Sequence, residues 1–188
     1  MITLGIFASG SGTNAENFCK YFAGHPQIRV GKIYTNNPEA GVIERAARNN
    51  VPSAVFSQEE IKDGRLVEQM RSDGIDAVIL AGYMKLIPAE FIKAFPDRIL
   101  NIHPALLPNY GGKGMYGDHV HNAVVANRET KSGITIHLVN EKYDEGRILF
   151  QAECDVTKDD TPESLAQKIH ALEYAHYPEQ AAKYLLDD

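Results

Sequence analysis

A carboxamide and an imidazole lie two residues apart near the middle of the chain, as Asn101 and His103. They end the apolar segment Arg98–His103, which is typical of a short buried strand, and Pro104 cannot continue a strand ladder. Because side chains alternate between the two faces of a strand, both project to the same side. Asn offers an N–H donor that does not titrate, and His gains or loses a proton near neutral pH. Such a pair suits an oxygen that becomes negative during a reaction.

The position of this pair favours chemistry over packing, although these residues alone leave both interpretations open. Open α/β sheets bind ligands in the crevice beyond the carboxyl ends of their strands. In the structural alternative, His103 is a core histidine with satisfied hydrogen bonds, and Asn101 caps the turn before Pro104.

A glycine loop near the N-terminus has the pattern of an anion-binding turn. The apolar run Ile2–Ala8 leads into SGSGTNA (residues 9–15) and then into a segment of helical character, Glu16–Phe22. Its two glycines let the backbone turn tightly and approach a ligand, and the start of a helix offers N–H groups at a positive dipole end. Thr13 and Asn14 add a hydroxyl group and an amide donor. The segment therefore predicts a phosphate site.

Two other interpretations of the glycine loop stay open. The spacing also satisfies the looser dinucleotide pattern GxGxxG/A, which would make the protein a nicotinamide-dependent oxidoreductase. That pattern requires an acidic residue at the end of the second strand. The second strand, Ile28–Thr35, is followed by Asn36, Asn37 and Pro38, with no carboxylate. A monophosphate is therefore favoured over a dinucleotide, and a simple tight turn is the third interpretation.

An unusually apolar loop follows the predicted strand Asp76–Leu80. It reads AGYMKLIP (residues 81–88), whereas most connections cross the wet surface. At the carboxyl end of a strand, such a loop favours a pocket for a flat apolar ligand. The alternative is that Met84, Leu86 and Ile87 cover the hydrophobic core.

The elements that position these loops alternate between strand and helix in the first half of the chain. Helical spacing is seen over Ala40–Asn49 and over Gln58–Asp73, and a short strand is predicted at Ala54–Phe56. The βαβαβ order predicts a parallel, doubly wound sheet.

The pattern changes after the central strand. A glycine-rich loop, Asn109–Gly117, is followed by Asp-His-Val-His, which we do not interpret as a metal site because no further ligands stand at supporting spacing. Gly133–Asn140 and Arg147–Val156 predict a hairpin whose turn contains Asp144. Thr161 and Pro162 begin a last helical region that Pro178 should kink or restart. Its predicted buried face comprises Leu165, Ile169, Leu172, Ala175 and Tyr184.

The composition predicts one ordinary globular domain. The chain has 188 residues, 44% of them hydrophobic, and a net charge of -6, which argues against a general nucleic-acid surface. Cys19 and Cys154 stand far apart and indicate neither a disulfide framework nor a cysteine zinc site. Neither an export signal nor a membrane span is indicated, so we expect a cytoplasmic protein with no membrane partner.

Five segments together resemble the glycinamide ribonucleotide formyltransferase family, within the folate-dependent formyltransferases. In chain order they are GSGTN, LAGYMKLIP, ILNIHPALLP, GITIHLVNEKYDEG and LEYAHYP. The resemblance implies transfer of a formyl group from 10-formyltetrahydrofolate to the amine of glycinamide ribonucleotide, an early step of purine biosynthesis. Transfer to another small amine, a nicotinamide oxidoreductase and a non-catalytic nucleotide-binding module are the alternatives.

The resemblance also implies roles for particular residues. Asn101, His103 and Asp144 would be catalytic, and neither a metal nor a covalent enzyme intermediate would be needed. Two departures are that His170 stands where the family often has glutamine, and that the arginine for the folate tail has no clear counterpart. The implied binding residues are Gly12, Thr13 and Asn14 for the phosphate, Glu173 and His170 for the rest of the ribonucleotide, and Tyr83, Met84, Lys85, Leu86, Ile87, Val139, Asn140 and Glu141 for the folate.

The fold that follows is Rossmann-like α/β, a doubly wound and mostly parallel sheet with helices on both faces and a C-terminal antiparallel hairpin. We expect one formyltransferase domain over residues 1–188, with a phosphate-binding half (1–100) and a catalytic and folate-binding half (101–188). The expected partners are glycinamide ribonucleotide and a reduced folate. The sequence does not decide between a monomer and a homodimer, and it assigns no role to His119 and His121.

Overall fold

Seven strands and seven helices make up the described part of the chain, which in this computed structural model is residues 1–187. The strands are β1 (Ile2–Phe7), β2 (Ile28–Thr35), β3 (Ser53–Val55), β4 (Ala77–Leu80), β5 (Ile99–His103), β6 (Lys131–Leu138) and β7 (Ile148–Asp155). The helices are α1 (Thr13–Tyr21), α2 (Val42–Arg48), α3 (Gln58–Asp63), α4 (Arg65–Ser72), α5 (Ala89–Ala94), α6 (Asp118–Ala126) and α7 (Pro162–Asp187).

The strands form one mixed sheet in the order β3-β2-β1-β4-β5-β6-β7, with helices on both faces. β1 pairs in parallel with β2 and β4, and β2 pairs in parallel with β3. β6 and β7 pair antiparallel. The predicted α/β fold and C-terminal hairpin are thus confirmed. Within residues 1–187, no helix has both the length and the apolar character needed to cross a membrane.

The first of two compact units, Met1–Leu100, is built around β1. From Thr3 onward every residue of this strand is buried, as expected for a parallel strand covered on both faces. Phe7, at its end, contacts four aromatic rings, and all four centroid distances are between 5.2 and 5.7 Å. These rings belong to Tyr34, Phe56, Tyr83 and Phe91.

The single helix predicted over Gln58–Asp73 is wrong, because Gly64 divides it into α3 and α4. Gly64 has φ +88°, a left-handed conformation that ends α3 and immediately precedes α4. A capping box between Ser57 and Glu60 fixes the start of α3. The apolar periodicity continues across Gly64, so the pattern gave no sign of the break.

The second compact unit begins at Asn101, and α7 packs against α6, β6 and β7 within it. α7 is helical without interruption through Pro178, so the predicted restart does not occur. Its buried residues recur every four positions from Leu165 and Ile169, which places Glu173 in the buried stripe. Ala175, predicted to be buried, is exposed. Glu173 is thus a charged residue at a core position, which a pattern of apolar residues does not reveal.

Gly146 lies where the loop between β6 and β7 closes on β6, and a Cβ atom there would be 1.7 Å from the Leu138 carbonyl oxygen. We expect Gly146→Ala to lower the free energy of unfolding by about 1–3 kcal/mol, the usual cost of overpacking. Urea denaturation measures this change. Gly10→Ala is the control, because nothing lies within 4 Å of a Cβ at that position. Equal stability of the two variants would contradict the close approach.

Candidate active site

Asn101 and His103 lie in the last three residues of strand β5, as the sequence predicts. Their two-residue spacing puts both side chains on one face of the strand. His103 is 3% exposed, whereas Asn101 is partly exposed. The imidazole is therefore a buried group and the carboxamide stands nearer to solvent.

The turn after His103 is held by two side chains of the β6–β7 hairpin. The Thr135 hydroxyl donates to the Ala105 carbonyl at 2.7 Å and accepts from the Leu107 N–H at 3.0 Å. Gln151 Nε2 donates to the same hydroxyl at 2.9 Å and to the Leu107 carbonyl at 3.1 Å. Both lone pairs and the proton of the buried hydroxyl are used, so the exit of β5 is fixed to the neighbouring strands.

His137, which the sequence analysis did not assign to the site, orients Asn101. Its Nδ1 lies 2.8 Å from the Leu138 carbonyl, an acceptor only, so Nδ1 carries the proton. In the neutral ring, Nε2 then accepts from Asn101 Nδ2 at 3.1 Å. This bond uses one N–H of the carboxamide and sets the direction of the other. The signal in the sequence was the alternation that puts His137 and Thr135 on the same face of β6.

Asp144 lies between the two imidazoles. Its Oδ2 is 3.5 Å from His103 Nδ1, and its Oδ1 is 3.6 Å from His137 Nε2. The Gly112 N–H donates to Oδ2 at 2.9 Å. Burial raises the pKa of Asp144, but His137, His103 and the Gly112 N–H together outweigh burial and hold the pKa below its ordinary value. The structure thus brings Asp144, a turn residue, to the pair on β5.

His103 has an acceptor at each ring nitrogen. Nε2 is 2.7 Å from the Tyr110 carbonyl and therefore carries a proton, while Nδ1 faces Asp144. Burial lowers the pKa of His103, and it prevails over Asp144 and the Tyr110 carbonyl, which both favour the charged ring. His103 is thus a buried imidazole, and a further negative charge beside it would raise its pKa and favour the protonated ring.

The glycine-rich loop covers this cluster with backbone groups. Tyr110, with φ +56°, supplies the carbonyl on His103, and Gly112 supplies the N–H on Asp144. The Tyr110 hydroxyl donates to Glu129 at 2.6 Å and accepts from Asn127 at 2.9 Å. The loop is visible in the sequence, but these contacts are not, because they use main-chain atoms.

The glycine loop of the first unit has the geometry that an anion-binding turn requires. Gly12 is left-handed with φ +76°, and α1 begins at Thr13, three residues before the predicted start. A Cβ at Gly12 would lie 2.3 Å from Val42, so only glycine fits. Thr13 and Asn14, partly exposed, form the first turn of α1, where backbone N–H groups lack helical partners.

The apolar loop after β4 divides into two parts. Tyr83 and Ile87 are buried, and the Tyr83 ring packs on Phe7, so these two cover the core. Met84, Lys85 and Leu86 are exposed. The core-covering alternative is therefore correct for Ile87 and wrong for Met84 and Leu86, which leaves two exposed apolar side chains available to a ligand.

The remaining predicted binding residues lie in two places in the second unit. On α7, His170 Nδ1 is 2.9 Å from the carboxylate of the buried Glu173, and this hydrogen bond raises the pKa of His170. Val139, Asn140 and Glu141 begin the loop between β6 and β7, and Asn140 and Glu141 are exposed.

The two histidines of α6 face different environments. His119 is exposed, while His121 is buried and its Nδ1 has no hydrogen-bond partner. Among residues 1–187, no three His, Cys, Asp or Glu side chains are grouped so that they could hold a metal ion.

Comparison with known proteins identifies the family. Residues 3–181 match the family model described as formyl transferase. The chain belongs to the formyl transferase family. A relative named phosphoribosylglycinamide formyltransferase, chloroplastic, from Arabidopsis thaliana is 46% identical over 183 residues, which are 94% of this chain and 63% of the relative. The Bacillus subtilis phosphoribosylglycinamide formyltransferase is 33% identical, over 92% of this chain and 89% of its own length.

Solved structures agree with this formyl transferase assignment. Glycinamide ribonucleotide transformylase 1 from Symbiobacterium toebii has a TM-score of 0.87 and 35% identity, with 96% of this chain and 86% of that chain covered. The phosphoribosylglycinamide formyltransferase from Streptococcus pneumoniae has a TM-score of 0.87 and 32% identity, covering 98% of this chain and 99% of that chain. The chain spans only 63% and 58% of the first two curated relatives that it matches.

The buried His121 should make the protein less stable in mild acid. Burial lowers its pKa, and nearby His170 and His103 lower it further while Glu173 and Asp118 oppose them. The unfolded chain takes up a proton at about pH 6.5, so the stabilisation is present above that pH and is lost as the pH falls toward the folded pKa. We expect His121→Met to reduce the loss of unfolding free energy between about pH 7 and pH 5.

Urea denaturation at several pH values measures this slope. His103, whose pKa is also lowered, remains in the variant, so the slope should decrease without vanishing. His119→Met, on the exposed side of the same helix, is the matched control and should leave the slope unchanged. An identical pH dependence in the His121 variant and the wild type would contradict the assignment.

Proposed function

We propose that this formyl transferase moves a formyl group from 10-formyltetrahydrofolate to the amine of glycinamide ribonucleotide in purine biosynthesis. The observation that carries the proposal is the contact of Asp144 with both buried imidazoles, one of which holds Asn101. This chain covers 89% of the Bacillus subtilis relative, and the name of that relative supports the same reaction.

The reaction needs donors for an oxygen that gains charge. An amine that attacks the formyl carbon produces a tetrahedral intermediate with an anionic oxygen, and positioned N–H groups lower the barrier to it. Asn101 Nδ2 and His103 Nε2 are the two donors. Asn101 is oriented by His137, so its amide needs little rearrangement when the charge develops.

Asp144 and His103 would handle the proton. The developing oxyanion adds a negative charge next to His103, which raises its pKa and favours the imidazolium that burial opposes in the resting site. Asp144, held ionised by its neighbours, can accept the proton of the attacking amine and pass it to the leaving nitrogen, directly or through water. Formyl transfer then leaves tetrahydrofolate and the formylated amine.

One contact must change before His103 can act in this way. The Tyr110 carbonyl occupies Nε2, the nitrogen that would donate to the substrate oxygen. The substrate oxygen would take the place of that carbonyl, so binding requires a shift of the 109–117 loop. Gly112, Gly114 and Gly117, all at positive φ, already adopt backbone conformations that other residues rarely adopt.

In this proposal, residues 1–188 form one formyltransferase domain, with a phosphate-binding half (1–100) and a catalytic and folate-binding half (101–188). The exposed Met84 and Leu86 offer apolar surface to the pteridine ring, and the His170–Glu173 pair offers acceptor and donor atoms to ribose hydroxyls. The proposed binding residues are Gly12, Thr13 and Asn14 for phosphate, Glu173 and His170 for ribose, and Tyr83, Met84, Lys85, Leu86, Ile87, Val139, Asn140 and Glu141 for the folate.

Removal of either donor should nearly abolish transfer. We expect Asn101→Ala and His103→Ala each to reduce kcat by about 10²-fold or more, the scale for loss of one donor to an oxyanion. The assay follows tetrahydrofolate release with glycinamide ribonucleotide and, separately, with other small amines. Asn122→Ala, at an exposed position of α6, is the matched control. Wild-type rates in both donor variants would contradict the proposed mechanism. If the wild-type protein formylates only another amine, glycinamide ribonucleotide is not the acceptor.

Asp144→Asn should lower the rate and move its pH profile. Without the carboxylate, the pKa of His103 falls further, because Asp144 favours the protonated ring. The limb of the kcat/KM profile that reports protonated His103 should therefore shift to lower pH. Asp159→Asn, at an exposed aspartate, should leave the profile unchanged. A lower rate with an unshifted profile would show that Asp144 does not act on His103.

A further inference from the structure

The first turn of α2 packs directly on the glycine loop. The Val42 N–H donates to the Gly10 carbonyl at 3.1 Å. Val42 also occupies the space that a side chain on Gly12 would need, since a Cβ there would be 2.3 Å from Val42 Cγ2. α2 therefore sets the shape of the loop from outside, at two of its residues.

Arg45, one turn further along α2, reaches back to the same loop. Its Nε donates to the Ser11 carbonyl at 2.8 Å. Its Nη1 pairs with the carboxylate of Glu16, which lies in the first turn of α1. One planar guanidinium thus joins the loop, α1 and α2, a bridge that depends on its fixed fork of donors.

Neighbouring cations do not make this bridge. Arg48 reaches the Glu16 carboxylate only at 4.0 Å and Lys20 only at 3.6 Å, and both are more than half exposed. The Arg45 side chain is 27% exposed. The three cations around one carboxylate leave a local excess of positive charge beside the loop, but only Arg45 fixes the position of a loop atom.

We propose that Arg45 is a positioning residue that holds the glycine loop in the conformation that binds a phosphate monoester. The proposal rests on the function above, in which Gly12, Thr13 and Asn14 bind the acceptor phosphate. Arg45 directs Nε and Nη1 to protein acceptors, so its effect on the ligand would pass through the Ser11 peptide. Holding the loop in shape before the ligand arrives reduces the ordering cost of binding, and this cost would otherwise appear in the affinity.

Replacement of Arg45 should weaken binding of the phosphorylated substrate with little effect on the chemical step. Arg45→Gln is expected to raise the Kd for glycinamide ribonucleotide, and its KM, by about tenfold to a hundredfold, the range for loss of a charge-assisted hydrogen bond. The kcat should stay within about threefold, because uniform binding is lost rather than transition-state binding. Calorimetry gives the Kd without any formyl donor, and ribose 5-phosphate serves as a second probe.

Arg48→Gln is the matched control, since it removes the same charge from the same helix without contact to the loop. It should change Kd by less than about twofold, as expected for an exposed charge. Arg45→Lys keeps the charge but cannot bridge Ser11 and Glu16, so it should weaken binding nearly as much as Arg45→Gln. If urea denaturation shows that Arg45→Gln does not fold, Arg45→Lys replaces it in the binding measurements.

The outcomes separate this proposal from the function on which it rests. A wild-type Kd in Arg45→Lys, or equal effects of Arg45→Gln and Arg48→Gln, would overturn the role of Arg45 and leave formyl transfer intact. Wild-type protein that transfers formyl but binds no ribose 5-phosphate or glycinamide ribonucleotide would overturn the phosphate site and the role of Arg45 together. Failure of formyl transfer with normal phosphate binding would instead remove the proposed reaction alone.

Discussion

The second unit depends on keeping one carboxylate charged in a buried place. Asp144 has a side chain only 10% exposed, and an isolated buried charge is expensive. The Gly112 N–H donates to the carboxylate, and His103 and His137 lie 3.5 and 3.6 Å from its oxygens, so three different segments surround the charge. Because loss of any one partner leaves the charge poorly satisfied, the end of β5, the end of β6 and the glycine-rich loop have to be formed together.

The polar side chains near this carboxylate have hydrogen-bond partners of their own. Thr135 and Gln151 fix the turn after His103 through a hydroxyl whose hydrogen bonds are all used. His137 Nδ1 donates to the Leu138 carbonyl, and His137 Nε2 accepts from Asn101 Nδ2. Fully satisfied buried polar groups hold one arrangement firmly, and this is the property that a site with a preset donor geometry needs.

Much of this could be predicted from the sequence, because strand alternation and turn chemistry are local. The faces of Asn101 and His103, the glycine loop before α1 and the hairpin that carries Asp144 all follow from short segments. The partners could not be predicted. The contacts of His137 with Asn101 and of Tyr110 with His103 join segments whose approach is decided by packing. Gly64 and Glu173 show the same limit, since apolar periodicity registers neither a left-handed break nor a glutamate in a core stripe.

The anchoring of Tyr110 gives distant residues influence over the imidazole. Its hydroxyl is held by Asn127 and Glu129 on the connection from α6 to β6, while its own carbonyl covers His103. One residue thus joins the connection from α6 to β6, through its hydroxyl, to the His103 ring, through its carbonyl. The connection from α6 to β6 therefore helps to position the carbonyl that covers the ring N–H of His103, which links the resting site to a segment outside it.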